Sequence, residues 1–140
     1  MEWPKLVALL LMGMTVQQSD ARSADGASVN GTWQIRGLAL EIFDCERAVC
    51  GRIVWVNDPN RRQSQCGKII IWGLTPEGAS KWKGGSILDP DDGKTYRLAA
   101  SMEHDGVLHA RIYRGVPLLG RTEILRRVDP RTLTGHCQLP

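Results

Sequence analysis

This chain has almost no helical signature. No segment repeats apolar residues at helical spacing. The nearest candidate, Thr75 to Lys83, contains Pro76 and Gly78 and has room for one turn at most. No run of Lys or Arg alternates with aromatic residues, so no nucleic-acid partner is expected. No C-x-x-C and no Cys/His pair at zinc spacing occurs, which argues against a zinc site or a catalytic thiol. His104, His109 and His136 lack metal-ligand spacing, and no nucleophile elbow or Ser/His/Asp set is present. No metal, no cofactor and no catalytic residue is therefore expected. The longest apolar stretch, Leu6 to Val16, has 11 residues, too few to span a bilayer as a helix.

That stretch has the length of a signal-peptide core, with Lys5 before it and small residues at Ser19 and Ala21. The reading is a signal peptide over 1–21, cleaved after Ala21, then a flexible segment over 22–30. The alternative, a buried N-terminal helix, fits poorly with the unpatterned polar stretch that follows. Losing Lys5, Glu2 and Asp20 takes the 18 basic and 15 acidic residues to 17 and 13, a net charge of about +4. The mature chain is expected to have no transmembrane segment and to be periplasmic or secreted.

All four cysteines, Cys45, Cys50, Cys66 and Cys137, lie beyond that point. Behind an export signal an even number implies bridges, with three possible connectivities. A four-residue turn, Glu46 to Val49, places Cys45 and Cys50 face to face across a hairpin, within disulfide range. By elimination Cys66 pairs with Cys137 and ties a disordered-looking tail, 130–140, to the domain.

The rest alternates with strand period. Leu40 and Ile42 share a face, as do Tyr96, Leu98, Ala100 and Met102, and then Leu108, Ala110 and Ile112. Gly51 to Val56 and Ile69 to Trp72 are apolar on both faces. Turns fall at Asp89 to Gly93, at Glu103 to Gly106 and at Gly115 to Gly120. The longest polar loop is Asn57 to Gln65. About eight strands with short connections predict an all-β fold, a small antiparallel up-and-down β-barrel over 31–129, with a two-sheet sandwich as runner-up.

The sequence Gly31-Thr32-Trp33, then Cys45 with Cys50-Gly51-Arg52-Ile53-Val54-Trp55, Cys66-Gly67, Trp82 to Tyr96 and Pro117 to Thr122 resembles the secreted bacterial family called domain of unknown function 2147. The loop before Cys66 is shorter and more basic than in such proteins, and Glu123 to Arg127 lacks their usual tryptophan. The resemblance implies a compact barrel in the cell envelope and brings no established activity. A looser likeness to lipocalin-type barrels implies that Trp33 packs on an arginine of the last strand, Arg126 or Arg121.

Asp89 to Lys94 faintly resembles a calcium loop. The closing acid is missing, since Glu103 comes too late, and a β-turn explains the segment. Gly84-Gly85 has no following helix to make a phosphate cradle, and reads as a place of close strand approach. Arg52, Arg111 and Arg121 lie on strands among apolar neighbours. They are either outward charges or the polar end of an internal pocket, joined by Glu123 and lined by Trp33 and Trp55. Those six residues are the candidate ligand site. The tryptophans, with Trp72 and Trp82, otherwise simply fill a small barrel. The leading expectation is a non-catalytic binding protein for a small apolar or amphipathic ligand. The alternatives are an envelope protein-interaction module with a solid core, and a hydrolase in which Glu41, Asp89 or Glu123 converge with an arginine.

Overall fold

The computed structural model describes residues 28–138. The leader over 1–21 and most of the 22–30 segment lie outside them. Eight strands form a closed antiparallel barrel in sequence order: β1 (Gly31–Ile35), β2 (Leu38–Cys45), β3 (Ala48–Val56), β4 (Ile69–Pro76), β5 (Lys81–Leu88), β6 (Thr95–His104), β7 (Val107–Tyr113) and β8 (Arg121–Arg127). Closure between β1 and β8 pairs Trp33 with Arg127 and Gln34 with Arg126. A closed barrel leaves no open sheet edge.

The alternating apolar faces all turn inward. Leu40, Ile42, Ile53, Leu98, Leu108 and Leu125 are buried and belong to one core. Inside the barrel this core leaves a void of only about 20 Å³. Gly85 shows how tightly it is packed, because a Cβ there would come within 2.8 Å of the Leu74 side chain. The glycine pair is thus a strand-approach device. The segment around it is the β4–β5 hairpin and not a helical turn. Gly73, Gly78 and Gly84 all have positive φ, which suits a bent hairpin and no helix.

One helix exists where the sequence reads as a loop: α1 (Pro59–Gln65). Its signal is end chemistry and not a stripe. The Asp58 carboxylate accepts from the Asn60 N–H at 2.9 Å, and Pro59 opens the first turn. Only Gln65 is buried, so no apolar periodicity marks it.

Both disulfides pair as expected, Cys45 with Cys50 and Cys66 with Cys137. The hairpin differs in detail. Its turn has two residues, Glu46 and Arg47, and Cys45 stands opposite Ala48 while Cys50 stands opposite Phe43. The bridge therefore runs diagonally on one face, with Cα atoms 5.8 Å apart. As far as Cys137 the tail is docked and not loose: a short 3-10 turn, Pro130–Thr132, precedes the Trp55 indole N–H bond to the Thr134 carbonyl at 2.7 Å. The Cys137 N–H then bonds to the Val54 carbonyl at 2.9 Å.

The barrel's lower end is plugged. The Arg127 guanidinium lies 4.3 Å from the Trp33 ring centroid and donates to the Asn30 and Ser28 carbonyls at 2.8 and 2.7 Å. The Trp33 indole donates to the Val29 carbonyl at 2.8 Å, and Val29 is buried. So the partner of Trp33 is Arg127, neither Arg126 nor Arg121. Leu125 faces the core, and period two sends Arg127 inward at the bottom, Arg121 inward at the top and Arg126 outward. The last residues of the 22–30 segment are correspondingly packed. Among the described residues no helix is long and apolar enough to cross a membrane.

Candidate functional site

The upper end of the barrel is open. There the β1–β2 turn, α1, the Asp89–Lys94 turn and the start of β8 surround a cup of about 230 Å³. Its floor is apolar, made by Leu40, Val56, Ile70, Ile87 and Ile112. Leu40, Ile87 and Ile112 also roof the filled interior, so the cup ends where the solid core begins.

The rim is charged and internally paired. Glu123 shares the inward parity of Leu125 and reaches the mouth with its side chain only 12% exposed. Arg36, held in the tight β1–β2 turn at φ 47°, donates twice to it, at 2.6 and 3.1 Å. Arg121 reaches the same carboxylate at 3.3 Å and extends to Asp89 at 3.7 Å. From α1, Arg61 joins Asp58 at 3.5 Å and also binds Asp91, which accepts from the Gln65 amide at 3.3 Å and whose N–H bonds to Asp89 at 2.8 Å. A mixed-sign arc of charges, joined at the Asp89–Asp91 turn, thus borders an apolar floor.

Tyr96, inward from β6, completes the wall. Its ring faces the guanidinium groups of Arg114 and Arg121 at 4.8 and 5.6 Å. Its hydroxyl donates to Asp92 at 2.7 Å. That bond, followed by the Lys94 N–H, holds the Asp92 carboxyl below its ordinary range. The same bond pushes the Tyr96 phenol up.

Of the six sequence-derived site residues, the structure brings Arg121 and Glu123 together at the cup. The other four lie elsewhere. Trp33 is fully buried at the plugged end. Trp55 faces outward under the tail, because a β-bulge between β2 and β3 shifts the register beside it. Arg52 is on the outer wall, bonded to Glu41 at 3.0 Å and near the Phe43 ring. Arg111 holds the β7–β8 connection from outside, donating to the Pro117 and Leu118 carbonyls. Sequence reasoning missed Arg36 and Arg61, which sit in a turn and a helix without apolar patterning. It also missed the role of Tyr96, which parity with Leu98 had already placed inside.

Asp89 and Glu123 do converge, but with Arg121 between them, and Glu41 is on the outer wall. His109 lies on the outer side of β7, opposite Ile124 and Ser101. Among the described residues no group of three or more His, Cys, Asp or Glu is placed to hold a metal ion. A second recess of about 520 Å³, bounded by Phe43, Val54 and His136, lies outside the wall beside the tail and is broadly open to solvent.

Residues 31–127 match the sequence profile of a family described as uncharacterised protein conserved in bacteria, domain of unknown function 2147. No curated protein matches the chain. Among solved structures it is similar to a Helicobacter pylori protein described as belonging to the lipocalin family, at a TM-score of 0.63 and 17% identity. That match covers 75% of this chain and 86% of the other. At this identity the likeness establishes the barrel fold alone.

Proposed function

This chain belongs to the family of uncharacterised bacterial proteins whose profile it matches, and from that premise we propose that it is a periplasmic or secreted, non-catalytic binding protein for a small amphipathic ligand. The reading rests on one observation: an apolar floor beneath the chain Arg36–Glu123–Arg121–Asp89. The floor suits a short apolar group, and the rim supplies both donors and acceptors to a polar head. The ligand is held at the mouth and not deep inside, since the interior is filled. A cup of 230 Å³ is below the usual ligand-pocket range, with space for about eight groups the size of a water molecule at ~30 Å³ each. Two disulfides and the Leu6–Val16 segment support an oxidising compartment. The hydrolase reading has less support. Arg121 engages both nearby carboxylates and holds them as charge partners.

The experiment is native mass spectrometry of protein purified from its own envelope, paired with Ile112→Trp, which fills the floor. A copurifying small molecule present on the natural protein and missing from Ile112→Trp is the expected result. A ligand-free natural protein with a second chain bound would favour the interaction-module alternative. Equal retention by both proteins would place the ligand outside the cup.

A further inference from the structure

The open end of the barrel carries the most exposed apolar side chains of the described residues. Leu118 is 85% exposed and Leu119 79%, with Val116 beside them. They sit in the β7–β8 connection, around a 3-10 turn over Pro117–Leu119. The support is fixed. Arg111 donates to the Pro117 and Leu118 carbonyls at 2.8 and 3.1 Å and to the Thr122 hydroxyl at 3.1 Å. Two leucines are therefore held out in water on a braced loop.

The connection itself carries charge of one sign. Between Arg111 and Thr122 every charged residue is an arginine. On the outer wall beside the loop, the register of β6 and β7 places Arg97 and Arg111, and the acid sharing that face, Glu103, comes at the far end, as does Arg126. Arg97 and Arg114 make no ion pair among the described residues. Of the rim acids nearby, Asp89 pairs with Arg121, and the Asp92 carboxylate, accepting from the Tyr96 hydroxyl, lies near the charges of Lys94 and Arg114.

We propose that this loop docks the barrel on a bilayer surface rich in anionic phospholipid. Leu118 and Leu119 enter the boundary between headgroups and acyl chains, and Arg97 and Arg114 remain at phosphate level. A small convex apolar tip with a cationic skirt fits a deformable anionic surface. A protein partner needs a matched patch of about 800 Å² on each side, which two leucines and a valine do not offer. Docking stands independently of any ligand in the cup. It would also bring the cup's open end to the membrane, because the loop springs from the same rim.

The test is sedimentation of the protein, purified as its own cell exports it, with vesicles of phosphatidylglycerol or of phosphatidylcholine. Binding to the anionic vesicles is expected at 0.05 M salt, roughly, and weakens at about 0.5 M as charges are screened. Leu118→Ser with Leu119→Ser should lower partition at least tenfold, roughly. Arg97→Gln with Arg114→Gln should lower it about fivefold for each cation removed. All four side chains are outside the core, so both variants should keep the parental circular dichroism spectrum. Both also keep the natural N-terminus, so any binding through that end stays constant. No sedimentation with either vesicle, equal binding to both lipids, or binding unmoved by either variant pair would each overturn the proposal.

Discussion

Arg36 and Glu123 are 87 residues apart in sequence and meet at the barrel mouth through two hydrogen bonds of 2.6 and 3.1 Å. The pair is lopsided: the arginine side chain is 76% exposed and the carboxylate 12%. Arg36 is thus a removable cover on a carboxylate that Arg121 also holds. Arg36→Ala should lower stability by less than about 1 kcal/mol in urea unfolding, because a mostly exposed partner contributes little. Glu123→Ala leaves two arginines facing each other across the rim and should cost more than Arg36→Ala. Equal costs would show that Glu123 is not the hub of the rim.

At the opposite end Arg127 stacks on Trp33 and bonds to two backbone carbonyls. Arg127→Ala removes a stacked cation, about 0.5–2 kcal/mol, and two charge-assisted bonds. We expect a loss of roughly 2–3 kcal/mol in total. Arg126→Ala, on the outer face, should stay within about 0.5 kcal/mol. Denaturation followed by tryptophan fluorescence separates the two, and similar losses would contradict the register of β8.

The two disulfides close loops of very different length, with sequence separations of 5 and 71. Removing Cys66–Cys137 as a Ser pair should cost about 4 kcal/mol, against about 2 kcal/mol for Cys45–Cys50, in the chain-entropy model. The long bridge also secures the tail across β3. Loss of protease resistance after Pro130 in the Cys66/Cys137 variant alone is the accompanying readout.

Tyr96 and Asp92 make stability depend on pH at both extremes. The Asp92 carboxyl is lowered from 3.8, so its contribution is present above that value and lost as pH falls through its folded pKa. The Tyr96 phenol is raised from 10.0, so its contribution is present below that value and lost as pH rises through its folded pKa. The stability difference between the natural protein and Tyr96→Phe should therefore be flat between about pH 5 and 9 and shrink on either side. A difference that stays constant at both extremes would show that the hydroxyl and the carboxylate are not partners.

Strand period carried most of the fold, and parity carried part of the site. Leu125 faces the core, so Glu123 and Arg121 face inward with it. Ala110 and Ile112 face inward, so Arg111 between them faces out. Arg52, between Gly51 and Ile53, faces out for the same reason. Trp55 breaks the rule because the adjacent bulge shifts its register, and a bulge has no signature in the alternation. Helix α1 escaped because its signal is Asp58-Pro59 at its start and not an apolar stripe.

By itself the sequence determined eight strands, their inward faces, the family and the cysteine partners. Local period, turn chemistry and pairing range act over a few residues and can be read from order alone. The closed interior, the plug of Arg127 on Trp33 and the meeting of Arg36, Glu123, Arg121 and Asp89 were decided only by tertiary structure. They depend on barrel closure and register, which bring together residues from opposite ends of the chain and set which end is filled and which stays open.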